Sequence, residues 1–383
     1  MVFESKMIVL VLLALLIALI VSFLLSPVVK AFAYKVGAID VPKDARRMHK
    51  VPIPRLGGLA IFLGFMVSIL LFVQITPQMQ GILLGSVVIV ILGVVDDIVP
   101  LPALLKFAVQ IAAALIPVFH GVVIHVISNP NLLSQNPYWN MGNLSIPITV
   151  LWIVGITNSV NLIDGLDGLA IGVSAISATT VLVIALLVAE GEVAVVMAAL
   201  VGACVGFMPY NMNPAKMFMG DTGATFLGYI LATMSIQGLF KFYAIISFAV
   251  PFLILGLPIF DTSFAFIRRI AHGQSPMHPD RGHVHHRLID MGMSQKQAVA
   301  TLYVISAILG LSAVVLTTSG ELKAMLFFLA LCVVAGVAAR VVFPKEIKEE
   351  LHEEMEDLLE HGHRDAESKP DEPSDDSEKD GEK

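Results

Sequence analysis

Charge is scarce in this chain. Asp, Glu, Lys and Arg make up 14% of its 383 residues, where soluble domains carry about a quarter. With 56% hydrophobic residues and a mean hydropathy of +0.83, it could not cover its apolar surface in water, which excludes a soluble globular domain. Cysteine is nearly absent too. Cys204 and Cys332 each sit inside an apolar run, so a disulfide or a cysteine metal site is set aside and small buried hydrophobes are expected. No small-residue cleavage pattern follows the first apolar run, Met7 to Val29. That run is also too long for a signal-peptide core, and it reads as a first transmembrane helix.

What the chain has instead is apolar blocks of about 20 residues, the length that crosses roughly 30 Å of hydrocarbon as helix. They predict an all-α polytopic membrane protein with eleven spans, at 7–29, 57–76, 82–95, 103–123, 146–160, 169–189, 193–210, 222–238, 243–266, 297–318 and 323–343. The spans at 82–95 and 146–160 read as abbreviated. Residues 1–343 form the expected transmembrane domain. Residues 344–361 place Ile347, Leu351, Met355, Leu358 and Leu359 at helical spacing and predict a short amphipathic helix, while 362–383 predict a disordered acidic tail.

The net charge of −7 is local to that tail. Residues 345–383 hold 17 Asp and Glu against 6 Lys and Arg, which leaves 18 basic and 14 acidic residues in 1–344. The loop at 30–56 carries Lys30, Lys35, Lys43, Arg46, Arg47, Lys50 and Arg55 against Asp40 and Asp44, and the loop at 267–296 carries Arg268, Arg269, Arg281, Arg287 and Lys296. The loop at 124–145 has no charged residue, and other loops on its side hold only Glu190, Glu192, Lys241, Glu321 and Lys323. The positive-inside rule then predicts the N-terminus outside, the C-terminus in the cytoplasm and the basic loops cytoplasmic.

On that side fall four polar groups. Asp96 and Asp97 end the third span in GVVDDIVPL. Adjacent carboxylates beside hydrocarbon repel each other and resist desolvation, so they need a metal, a cation or a shared proton. Lys106 is in reach of the same pocket or snorkels to the interface. Asn158, Asn161, Asp164 and Asp167 follow in TNSVNLIDGLDGLA, where Gly165 and Gly168 break the helix and Asp167 is a candidate cap of the sixth span. The full spacing of a calcium loop is missing there. Asn211, Lys216 and Asp221 lie in YNMNPAKMFMGDTGA, with Asp221 at a helix N-terminus suited to phosphate, as cap or as metal ligand. The last group is His278, His283, His285, His286 and Arg287 in MHPDRGHVHHR. No cysteine is near, and adjacent imidazoles are expected to point apart in most backbones. Phosphate binding, with Asp280 or Asp290 orienting a ring, fits better than zinc. Asp261 is expected to pair with Arg268 or to line the same cleft.

Asp and Asn oxygens suit a hard cation such as Mg²⁺, with His and Arg around a pyrophosphate. The expectation is a nucleotide diphosphate meeting a membrane-embedded acceptor. A transporter would hold its acids near the midplane of a repeated fold, whereas these acids lie at helix ends and no repeat is found. A scaffold that presents the acidic tail would leave the four groups unexplained.

In this order and in these loops, VVDDIVPL, NLIDGLDGLA, FMGDTGA and HVHHRL resemble the polyprenyl-phosphate sugar-1-phosphate transferases, over about residues 5–343. DVPKDARRMHKVPIPRLGG and HVHHRL are similar to the GlcNAc-1-phosphate branch, the WecA/TagO type. The muramoyl-pentapeptide branch usually shows Thr-Pro-Thr-Met-Gly-Gly and three consecutive histidines. Ala224 stands where the family commonly has Ser. The resemblance implies transfer of GlcNAc-1-phosphate from UDP-GlcNAc to undecaprenyl phosphate at the cytoplasmic face of a bacterial plasma membrane, with another UDP-HexNAc or UDP-MurNAc-pentapeptide as alternative donor. It implies Mg²⁺, with Mn²⁺ as substitute, on Asp221, Asn161 and Asp97. It also implies Asp96 at the lipid phosphate, with Lys106, Asn158, Asp164, Asp167, Asn211, His283, His285, His286 and Arg287 holding substrate. Expected partners are the UDP-sugar, the polyprenyl phosphate, the membrane and a second copy in a homodimer, with no nucleic acid.

Overall fold

A computed structural model describes residues 5–42, 51–128, 138–240, 249–271, 283–319 and isolated positions between 323 and 332. They belong to one compact unit, Met1–Val333. Lys43, Asp44, Arg46, Arg47, Lys50, Lys241, His278, Asp280, Arg281, the helix expected at 344–361 and the tail at 362–383 lie outside the described residues, as does most of the span expected at 323–343.

The fold is helical. In order come α1 (Ser5–Val36), α2 (Gly57–Phe72), α3 (Pro77–Ile98), α4 (Ala103–Phe119), α5 (Ser145–Leu162), α6 (Leu169–Leu187), α7 (Gly191–Asn211), α8 (Gly220–Ser235), α9 (Ala249–Ile254), α10 (Gly256–Ala271), α11 (Val284–Asp290) and α12 (Gln295–Ser319). Two antiparallel ribbons join them, β1 (Ile39–Asp40) with β2 (Ile53–Pro54) and β3 (Val126–Ser128) with β4 (Tyr138–Asn140). Among the described residues six helical segments are long and apolar enough to cross a membrane, and α2 and α4 are shorter apolar helices. The protein is a multi-pass membrane protein.

Lipid offers no hydrophobic drive to bring helices together, so close packing of small residues does it. On α1 the buried positions Val11, Ala14, Ala18, Ser22, Ser26, Val29 and Ala33 form one stripe, while Leu12, Leu16, Leu24 and Val28 are exposed to the surroundings. Gly202 and Gly206 on α7 meet the Leu15 and Leu19 carbonyls with no room for a Cβ, and Ser22 Oγ donates to the Ala203 carbonyl at 2.8 Å. The span read as abbreviated at 82–95 is in fact the full helix α3, which begins five residues earlier. Thr76 accepts from the Met79 amide and Pro77 occupies the first turn, where its missing N–H costs nothing.

The ninth span departs from expectation. Instead of one helix over 243–266, the described part is broken between α9 and α10 at Leu255. Pro258 has no N–H for the Ile254 carbonyl and its ring crowds that oxygen. The freed carbonyl accepts from Ser177 Oγ on α6 at 2.8 Å, so the break leaves no orphan in the apolar layer.

Candidate active site

The C-terminal ends of α3, α5 and α7 converge with the N-terminal ends of α4, α6 and α8 around Asp221, in the first turn of α8. The α8 N-terminus is capped from another helix. Asp97 Oδ1 accepts from the Asp221 amide at 3.0 Å, and Oδ2 accepts from the Thr222 amide at 3.0 Å and Thr222 Oγ1 at 2.7 Å. Asp97 is 2% exposed, so this is a buried carboxylate placed on the positive end of a helix dipole. Its place explains two glycines. Gly93 leaves α8 room to lie against α3, and Gly220, with φ +69°, has the Asp97 carboxyl where a Cβ would stand.

Asp96 faces elsewhere. Its Oδ1 accepts from the Leu101 amide at 2.7 Å and its Oδ2 from Lys106 Nζ at 2.9 Å, while Lys106 Nζ also reaches Asp221 Oδ2 at 3.3 Å. Asn161 Nδ2 donates to Asp221 Oδ1 at 3.1 Å. Asp221 is thus held by one cation and one amide.

Beside this cluster lies a cavity of about 520 Å³, and Asp97, Asn161, Asp164, Asp167, Asn211, Asp221 and His286 are all on its wall. Asn211 Nδ2 donates to the Met217 carbonyl at 3.2 Å, but its Oδ1 is buried with no partner. A buried unpaired acceptor is costly, and the residue that carries it is part of the cavity wall. Asp167 is not the cap of α6, a place taken by Gly168 at φ +81°. Its Oδ2 accepts from Asn213 Nδ2 and the Ala215 amide, both at 3.0 Å, and Asn213 continues to Gln295 Oε1 at 2.6 Å.

Asp164 stands apart. It is half-buried, and no hydrogen bond or ion pair to its carboxylate is found among the described residues. Burial, then the charges of Asp221, Asp97 and Asp167, push its carboxyl up to about 8. Such a group gains most from a cation. Among the described residues no three His, Cys, Asp or Glu side chains form a ready-made metal cluster. The donor set of Asp164, Asp221 and Asn161 nevertheless fits Mg²⁺, which takes one or two carboxylates and completes its shell with water and phosphate.

The histidine segment is anchored by Asp261 rather than by Asp290. Asp261 Oδ2 meets His283 Nδ1 at 3.0 Å and its Oδ1 accepts from the Val284 amide at 2.7 Å. The partner anticipated for Asp261, Arg268, gives way to this pair, and the expected role of Asp280 lies outside the described residues. His285 is buried against Gly165, where its ring leaves no room for a Cβ, and its Nε2 has no partner. Burial and the neighbouring His286 push it down to about 4, so it is neutral near pH 7. Among the described residues of the segment only His286 lines the cavity. Arg287 packs over the Phe264 ring at 5.3 Å. Asn158 turns to Gln110 Oε1 at 2.6 Å and to the Val154 carbonyl at 2.8 Å. Asn158, Asp96, Lys106, His283, His285 and Arg287 are off the cavity wall.

Sequence reading missed Asn213 and Gln295 and treated Arg55 and Asp40 only as loop charges, although all four line the cavity. The amides carried no signal, because isolated Asn and Gln in loops are common. The GG of RLGG did carry one. Gly57 and Gly58 have no room for a Cβ because Phe207 and the Phe218–Gly223 backbone lie against them.

The pattern of glycosyl transferase family 4 matches residues 79–239. The chain is 40% identical over 331 residues (86% of this chain and 91% of the relative) to a probable undecaprenyl-phosphate N-acetylglucosaminyl 1-phosphate transferase of Bacillus subtilis (strain 168). It is 33% identical over 358 residues, 85% and 87% of the two chains, to the decaprenyl-phosphate N-acetylglucosaminephosphotransferase of Mycobacterium tuberculosis (strain ATCC 25618 / H37Rv). A phospho-N-acetylmuramoyl-pentapeptide-transferase of Staphylococcus aureus (strain MW2) shares 31% identity over 319 residues, 77% of this chain and 96% of its own.

Proposed function

The chain belongs to glycosyl transferase family 4, and we propose that it transfers GlcNAc-1-phosphate from UDP-GlcNAc to undecaprenyl phosphate. The products are undecaprenyl-diphospho-GlcNAc and UMP, as in the first membrane step of a cell-envelope glycan. The observation that carries this reading is the cavity at the meeting of six helix ends, where Asp221, the unpartnered Asp164 and Asn211 share one wall. The relatives named for the same transfer support the choice of sugar. The basic loops support a site on the cytoplasmic side of a bacterial plasma membrane.

In this reading a lipid phosphate oxygen attacks the β-phosphorus, and the bond from that phosphorus to the bridging oxygen breaks, so UMP leaves with the oxygen. Lys106, fixed between Asp96 and Asp221, holds the acceptor phosphate beside the cavity. Asp96 positions Lys106 rather than removing a proton, because a phosphate monoester is already largely ionised at neutral pH. Asp97 sets the backbone of Asp221 through its three hydrogen bonds. Asp167, Asn211, Asn213 and His286 form the donor side. Mg²⁺ would be held by Asp221, Asp164 and Asn161, where it neutralises charge on the diphosphate.

The test is UMP release by purified protein with undecaprenyl phosphate and Mg²⁺, given UDP-GlcNAc or UDP-MurNAc-pentapeptide. Release from UDP-GlcNAc is expected. Folded protein that releases no UMP from either donor overturns the reading, and preference for the pentapeptide donor moves it to the muramoyl branch.

A further inference from the structure

The charged residues of the cavity wall are mostly carboxylates. Asp40, Asp97, Asp164, Asp167 and Asp221 line it, and among the described residues Arg55 is its one lysine or arginine. A nucleotide diphosphate entering there brings further negative charge.

Arg55 is held with unusual firmness for a loop residue. Its amide donates to the Ala38 carbonyl at 3.0 Å. The residues on either side pair with the segment just before Asp221: the Phe218 amide donates to the Pro54 carbonyl at 2.9 Å, and the Gly57 and Gly58 amides donate to the Phe218 and Met219 carbonyls at 2.9 and 2.8 Å. The guanidinium uses one of its five N–H groups on protein, from Nε to the Asp97 carbonyl at 3.2 Å. Asp97 Oδ1 stands off at 4.0 Å. Among the described residues the two Nη nitrogens make no other hydrogen bond. A tether to a carbonyl needs one donor, and a neutral side chain would serve. A planar fork left free on a wall of carboxylates matches two phosphate oxygens.

We propose that Arg55 is a substrate-binding residue that clamps the β-phosphate of the donor nucleotide-sugar. The inference rests on the transferase reading above and deepens it. Two cations then approach Asp221 from different sides. Lys106, off the cavity wall, serves the acceptor phosphate, and Arg55, on the wall, serves the donor. The guanidinium forms no bond with phosphorus. Its task is to hold the β-phosphate as UMP departs.

The experiment compares wild type with Arg55→Ala and Arg55→Lys in the purified full-length protein with Mg²⁺. It measures direct binding of UDP and of UMP by titration calorimetry, and KM for UDP-GlcNAc and for undecaprenyl phosphate by UMP release. Arg55→Ala is expected to weaken UDP and to raise the KM for UDP-GlcNAc about 10- to 100-fold, the loss of a charge-assisted bond pair. UMP binding and the KM for undecaprenyl phosphate stay within about twofold, because UMP lacks the β-phosphate. Arg55→Lys loses the Nε tether as the alanine variant does but keeps the charge, so it recovers part of the UDP binding. If Arg55 is only a tether, both variants lose UDP and UMP binding alike, and that result overturns the inference. A raised KM for undecaprenyl phosphate alone assigns Arg55 to the acceptor and overturns it as well. If wild type binds UDP through Arg55 yet releases no UMP from UDP-GlcNAc, the clamp stands and the transferase reading falls.

Discussion

Asp97 was expected among the metal ligands, and the structure makes it the cap of α8, so the two roles need a test that separates them. Asp97→Asn keeps shape and volume but exchanges one carboxylate oxygen for an NH₂ group. The remaining oxygen can serve Thr222, whose amide and hydroxyl lie at 3.0 and 2.7 Å. The new NH₂ then faces the Asp221 amide, donor against donor. The loss is one charge-assisted hydrogen bond in a buried place, about 1.5–3 kcal/mol. At about 2 °C per kcal/mol for a unit of this size, the melting temperature in detergent without Mg²⁺ falls by roughly 3–6 °C. Asp97→Ala removes all three acceptor contacts and falls further. Activity drops with the cap, because Asp221 is the residue whose amide is released. The assay pairs thermal unfolding in the absence of divalent cation with UMP release across a Mg²⁺ titration. A capping residue lowers the melting temperature without metal and leaves the Mg²⁺ midpoint near that of wild type. If Asp97→Ala melts as wild type does and the Mg²⁺ midpoint shifts instead, the capping argument is wrong.

Lys106→Met leaves Asp96 and Asp221 facing without their shared cation, and UMP release should fall about 10²- to 10³-fold, the usual cost of one preorganised charge partner, with the KM for undecaprenyl phosphate rising and UDP affinity, read by calorimetry, unchanged. Asp164 has its carboxyl raised to about 8 in the metal-free protein, so the folded state holds the proton more tightly than the unfolded state and stability falls as pH rises from about 4 through 8. Asp164→Asn should therefore melt higher than wild type at pH 8.5 without Mg²⁺ and yet lose UMP release, a pairing visible in one melting and one turnover series. His285 has its ring lowered to about 4, so the stability it permits is complete above about 6.5 and is lost as pH falls toward 4. His285→Gln should move the acid limb of unfolding to lower pH, and an unchanged limb would place the acid sensitivity elsewhere.

The sequence carried the architecture because hydrocarbon imposes length and apolarity on every crossing segment. The predicted spans from α1 to α8 each coincide with a helix, and α12 coincides with the tenth. The break in the ninth was written in Gly256-Leu257-Pro258, but its meaning depends on Ser177, 77 positions from the carbonyl it satisfies. The same limit governed the site. Clusters of acids at helix ends showed where chemistry sits, because local sequence makes a carboxylate beside hydrocarbon conspicuous. It could not show whom each acid serves. The partner of Asp97 is 125 positions away at Thr222, that of Asp167 is 46 away at Asn213, and that of His283 is 22 away at Asp261. A direct role with ligand had been expected for Asp97, Asp167 and His283, and each of these contacts ties its residue to the frame of the site.

Those partners sort the acids by what each has left. A carboxylate that accepts from three protein donors, as Asp97 does, has its oxygens committed to the helix it caps and has little left to offer a metal. Asp96 and Asp167 are similarly matched, by Lys106 with the Leu101 amide and by Asn213 with the Ala215 amide. Asp221 keeps unmatched charge on the cavity wall although one cation and one amide hold it. Asp164 has no contact among the described residues to stabilise a charge, so burial and its acidic neighbours favour the protonated form. A cation arriving with the substrate would take the place of that proton and let both carboxylates ionise on one wall with no rearrangement of the fold. In the proposed transfer such a site would favour a nucleotide that brings a divalent ion over one that comes without it. In the proposed transfer Asp164 and Asp221 meet the cation, while the adjacent pair, Asp96 and Asp97, holds Lys106 and the α8 N-terminus around them.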